Sequence, residues 1–98
     1  MDIIIGLGNV GYKIGKAFSR HPQYKVINID HEEVADIRVP KYDHPEKYEE
    51  NFPFIANHLR DIEGEILFVI SGASIISGAA LRVLEQIHSK GSVSILYI

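Results

Sequence analysis

Gly6, Gly8 and Gly11 are the residues whose type and spacing most directly suggest chemistry. They stand in Gly6-Leu7-Gly8-Asn9-Val10-Gly11, after the apolar run Ile3-Ile4-Ile5 and ahead of a helical pattern. Strand, glycine turn and helix in that order make a phosphate-binding corner. Glycine lets the backbone turn tightly and approach a ligand, and the free N–H groups at the helix start face an anion. An acid, Asp30, follows about twenty residues on, at the end of the run Val26-Ile27-Asn28-Ile29-Asp30, where it can accept hydrogen bonds from ribose hydroxyls. The expectation is a nucleotide-binding α/β domain.

Other chemistry is sparse. His21, His31, His44, His58 and His88 show no metal-ligand spacing, and only His31, next to Asp30, falls near the corner. Ser71-x-x-Ser74 lacks the G-x-S-x-G elbow and has no evident base. The pairs Glu32-Glu33 and Glu49-Glu50 read as solvated charge, as do Lys13, Lys16 and Arg20 on the first helix. No catalytic residue and no metal ligand is assigned. The absence of cysteine removes disulfides, thiolate zinc sites and cysteine nucleophiles. A formal charge of -3 argues against a nucleic-acid binder, which would carry a basic patch. No apolar run approaches the roughly 20 residues of a membrane span, and no basic lead-in marks a signal peptide. A cytoplasmic protein is expected, with its 98 residues in a single domain.

The elements that must position the corner follow from periodicity. Ile3-Ile4-Ile5 and Val26-Ile27-Asn28-Ile29-Asp30 read as buried parallel strands. Val10, Ile14, Ala17 and Phe18 mark one face of a helix over about 9–20 between them. Asp36-Ile37-Arg38-Val39 alternates like a short edge strand. Pro45 suits a helix start, and Pro53 splits the following pattern into helices over about 45–50 and 53–61. Ile66-Leu67-Phe68-Val69-Ile70 is a third strong strand. Ile76, Ala80, Val83, Leu84 and Ile87 form a core-facing helical stripe, with Gly91 placed as a left-handed residue after it. Ser92-Val93-Ser94-Ile95-Leu96-Tyr97-Ile98 is a last strand. The fold class is α/β: a three-layer, Rossmann-like, mostly parallel sheet in the order 3-2-1-4-5 with helices on both faces.

In that order strands one and four are neighbours at the switch point, so two turns of small residues face each other. The second is Ser71-Gly72-Ala73-Ser74-Ile75-Ile76-Ser77-Gly78. Two helix starts aimed at one place suit a polyphosphate; a plain strand-to-helix connection capped by Ser74 is the alternative.

With these pieces in order, the chain resembles the N-terminal half of the GTP-binding domain of the tubulin/FtsZ superfamily. Ile5-Gly6-Leu7-Gly8-Asn9-Val10-Gly11 resembles that family's first glycine loop, and Val26-Ile27-Asn28-Ile29-Asp30 its second strand with an Asn-x-Asp ending. The stretch from Asp61 to Ile70 resembles the strand before the tubulin signature, and Gly78-Ala79-Ala80 with Val83, Glu85, Gly91 and Val93 the segment after it. The resemblance implies GTP or GDP as the ligand of a cytoskeletal-type GTPase. Its contacts would be Gly6, Gly8, Asn9, Val10, Gly11, Asn28, Asp30, Gly72, Ala73, Ser74, Ser77 and Gly78. The chain departs from the family where Gly72-Ala73-Ser74-Ile75-Ile76-Ser77-Gly78 keeps only the outer glycines of G-G-G-T-G-S/T-G, and where no glycine lies between Pro40 and Pro45. The segments that read guanine and carry the acidic catalytic loop are missing, so hydrolysis of GTP by this chain unaided is not expected.

Two other readings stand beside this one. An NAD-binding Rossmann domain of an oxidoreductase or regulatory protein needs only the first corner and Asp30. An assembly module that has lost nucleotide binding needs neither. Peptidyl-tRNA hydrolase opens with a similar Gly-Leu-Gly-Asn followed by Pro-Gly, but Val10 replaces that proline. The chain stops within an apolar strand, as a fragment of a longer chain would. Self-association through this edge, residues 92–98, is expected.

Overall fold

Runs of Ile, Val, Leu and Phe form a five-stranded sheet because β-branched and aromatic side chains fit a pleated surface covered on both faces. The computed structural model describes residues 3–9, 13, 14, 17 and 24–98. The strands are β1 (Ile3–Leu7), β2 (Lys25–Asp30), β3 (Ile37–Arg38), β4 (Gly64–Ile70) and β5 (Gly91–Tyr97). All pairings are parallel, in the order β3-β2-β1-β4-β5, as the sequence predicts. Ile5 lies between Ile27 and Phe68, so the chain's most apolar triplet is the centre of the sheet.

Ile3, Ile5 and Leu7 share one face with Ile66, Phe68 and Ile70, and pack there against Tyr48, Leu59, Ile76 and Val83. Ile4 and Val69, on the opposite face, are also fully buried. The β1–β2 and β4–β5 crossovers run to opposite sides of the switch point, and right-handed connections therefore place them on opposite faces. In the first crossover Asn9, Lys13, Ile14 and Ala17 are helical; Ile14 is half-buried and Lys13 and Ala17 are exposed. Val10, Gly11, Lys16, Phe18 and Arg20 lie outside the described residues, as does His21.

Helix α1 (Pro45–Asn51) starts at Pro45 and stops at Phe52, which is extended (φ -64°, ψ 130°) ahead of Pro53. The second helix expected over 53–61 is only a 3-10 turn, Ala56–Leu59. Gln86 explains the difference. Its Oε1 accepts the Ile55 N–H at 2.6 Å and its Nε2 donates to the Pro53 carbonyl at 3.2 Å, holding residues 53–55 off helical geometry. The stripe beginning at Ile76 is likewise divided, into a 3-10 turn at Ile75–Ala79 and helix α2 (Ala80–Ile87).

Gly91 is not the left-handed residue the sequence suggests. Positive φ among the described glycines occurs at Gly8 (94°) and Gly64 (114°). Helix α2 instead leaves through a tight turn in which Lys90 N–H donates to the Ile87 carbonyl. Gly91 is glycine because it pairs with Gly64, whose carbonyl oxygen occupies the place a Cβ would take.

Ile55 is 2% exposed, and Gln86 is the partner of its N–H. The substitution Gln86→Ala is expected to cost about 1–3 kcal/mol, the usual penalty for an orphaned buried donor, as a lower denaturant midpoint at unchanged slope.

Candidate functional site

The C-terminal ends of β1, β2 and β4 meet at Gly8. Its φ of 94° is a conformation side chains rarely adopt, and its N–H donates to the Ile29 carbonyl at 2.9 Å. A Cβ there would lie 3.0 Å from Ile76 Cγ2 and 3.4 Å from Ser74 Oγ and Ser71 Cβ. Ser71 N–H donates to the Leu7 carbonyl at 3.3 Å. The two small-residue turns therefore stand against each other at the switch point. Because the Gly8 donor is committed to β2, the N–H groups of the corner that can serve an anion begin at Asn9, the first helical residue. Val10 and Gly11 lie outside the described residues.

Gly6 sits inside β1, between Asn28 and Val69. Asn28 and Asp30, two positions apart on β2, share a face of the sheet and are buried. Asn28 Oδ1 has no hydrogen-bond partner among the described residues, and its backbone N–H donates to Asp36 Oδ2 at 2.7 Å. Asp30 Oδ1 accepts the His31 N–H at 2.8 Å, and the Asp30 carbonyl accepts the Val39 N–H at 2.9 Å. The strand end is thus fixed from both sides, with one side-chain acceptor, Asn28 Oδ1, left over.

The second turn divides in two. Ala73 is exposed and Ser74 half-buried; Ser74 stands at the start of the 3-10 turn with no side-chain capping hydrogen bond, so the capping role is not its explanation. Its outer glycines serve packing. A Cβ on Gly72 would strike the Tyr97 ring, and Gly72 N–H donates to the Ile98 carbonyl at 2.8 Å. A Cβ on Gly78 would fall on the Pro45 backbone at the start of α1. Ser77 and Gly78 line an apolar groove with Tyr97 and Leu81 instead of the corner at Gly8. Of the twelve candidate residues, then, Gly6, Gly8, Asn28, Asp30 and Ser74 lie around the switch point, with Asn9 opening the helix beside it. Asp36 and Tyr97 were not singled out as site residues. Asp36 acts through a loop too short for periodicity, and Tyr97 is placed over Gly72 only by the β4–β5 register, Ile70 against Tyr97.

Among the described residues no group of three His, Asp or Glu side chains is placed to hold a metal ion, and no helix is long and apolar enough to cross a membrane.

If Gly78 is a packing glycine, Gly78→Ala should lower stability by about 1–3 kcal/mol, as overpacking does, while nucleotide affinity of the folded protein stays unchanged. Urea unfolding followed by a binding titration separates the two effects. Searches for similar proteins find no matching family, no matching curated protein and no matching solved structure.

Proposed function

We propose that this chain is a nucleotide-binding half-domain that takes GTP or GDP at the switch point. The observation that carries the reading is the meeting of two small-residue turns at Gly8, where Ser74 Oγ and the start of the β1–β2 helix border one space. The β- and γ-phosphates would rest against N–H groups at the start of that helix, beginning at Asn9, with the Ser74 hydroxyl as a donor from the other side. Asp30 and Asn28 Oδ1 supply acceptors, which suit ribose hydroxyls and not phosphate oxygens. The resemblance to the tubulin/FtsZ half-domain supports the choice of guanine nucleotide. No residue is assigned a catalytic step.

A second reading, binding of NAD, is favoured by one specific observation. Gly72 and Gly78 are accounted for by Tyr97 and Pro45, which leaves the first corner and Asp30 as the better-formed half of the site. That half is what a dinucleotide needs.

Calorimetric titration and thermal unfolding with GTP, GDP and NAD distinguish these readings. Guanine nucleotides should bind and, at about 100 times Kd, stabilise the chain by about 2.7 kcal/mol. The variant Asp30→Ala should weaken binding roughly 10- to 100-fold, the equivalent of one charge-assisted hydrogen bond. Binding of NAD without GTP or GDP would select the second reading, and no stabilisation by any nucleotide would leave the assembly module.

A further inference from the structure

Among the described residues nothing covers the edge formed by β5, and the nucleotide site does not explain that. From Gly91 to Ile98 the chain carries no charge and no proline, so it has none of the devices that keep an edge strand from pairing. Ile95, Leu96, Tyr97 and Ile98 are 44–63% exposed, and Leu81 of α2, beside them, is 59% exposed. Leu81 and Leu84 form with Ile95 a mainly apolar trough along the edge, which Glu49, Glu85 and His88 also line.

The backbone shows which groups are open. Ile98 N–H donates to the Ile70 carbonyl and the Ile98 carbonyl accepts from Gly72, so even-numbered residues of this strand direct their backbone groups toward β4. The N–H and C=O groups of Gly91, Val93, Ile95 and Tyr97 therefore point outward.

We propose that β5 pairs antiparallel with β5 of a second copy, about a two-fold axis at Ser94, to continue the sheet through both subunits. The parity of the strand allows this register. Val93 faces Ile95 of the partner and Gly91 faces Tyr97 of the partner, each pair joined through outward backbone groups, while Ser94 meets its own copy in a pair without hydrogen bonds. The contacts are self-complementary: a β-branched pair on the trough side, and an aromatic ring over a glycine. With the axis normal to the sheet, both α2 helices lie on one face and the two troughs close on each other. Area also points to a second copy. Leu81, Ile95 and Tyr97 are open on the trough side and Leu96 and Ile98 on the other face, and a paired strand borders both faces; at roughly 100 Å² of open surface each, the two copies together present the ~1,000 Å² that a specific interface needs.

The chain has no cysteine, which makes the register directly testable. Sedimentation of the wild-type chain should show a dimer. Ile95→Pro removes an outward N–H without touching the bonds to β4 and should give a folded monomer; Leu81→Glu, which leaves the strand intact, should weaken the dimer as well. Under mild oxidation Ser94→Cys should form a covalent dimer much faster than Leu96→Cys, because only residue 94 meets itself across the axis at a separation a disulfide can span. A monomeric wild type, a dimer unaffected by both Ile95→Pro and Leu81→Glu, or equal cross-linking at 94 and 96 would overturn the proposal.

Discussion

The hydrogen bond from the Gly8 N–H to the Ile29 carbonyl, made at a φ of 94°, is the joint on which the other features of this fold rest. It ends β1, ties that end to β2, and turns the chain toward the helix beginning at Asn9. The same residue leaves room for Ile76, which is 1% exposed and belongs to the main core. A side chain at position 8 would meet two obstacles together: about 1–2 kcal/mol of left-handed strain and a 3.0 Å contact with Ile76. The first turn, the start of the second crossover and the core beneath them are therefore one packing problem, solved by a single missing Cβ.

Around this joint the small residues have two different origins that sequence spacing does not distinguish. Gly8 is needed for backbone conformation. Gly78 and Gly91 are needed because the Pro45 backbone and the Gly64 carbonyl come too close for a Cβ, whereas at Gly72 the obstacle is the exposed ring of Tyr97, a side chain that can turn aside. In the sequence, Gly72 and Gly78 read as the outer members of a phosphate loop, since nothing local reveals a neighbour that arrives through sheet register or through packing of α1. The sheet itself was legible because its signal is local. Three uninterrupted β-branched or apolar runs separated by crossover-length segments leave few arrangements, and the right-handed rule selects among them. The helices were less legible, as at residues 53–59, where a distant side chain, Gln86, overrides a helical spacing. Asn28 and Asp30 stand out in the sequence as polar residues at the end of an apolar strand, and the structure places both, buried, on one face.

The remaining polar chemistry is concentrated at the end of β2. β2 runs for four residues before β3 begins to pair at Ile29, and Asp36 substitutes for the missing neighbour by accepting the Asn28 N–H. This holds Asn28 in place with its side-chain oxygen unsatisfied among the described residues. An acceptor with no partner among the described residues, beside a carboxylate on the same face and a helix start one strand away, is the arrangement on which the proposed nucleotide site rests. The uncharged edge at β5 is a separate matter, since β1 and β4 lie between it and the strand that carries Asp30.

The central claim is that nucleotide phosphates lie at the Gly8 joint, and the most direct measurement is backbone amide mapping of the labelled chain by NMR during titration with GDP. The largest shift changes are expected at Gly8, Asn9 and Ser74, with a second group at Asn28, Asp30 and His31, and little change at Gly78. Shifts confined to the β5 edge, or none at Gly8 and Asn9 at saturating GDP, would contradict it.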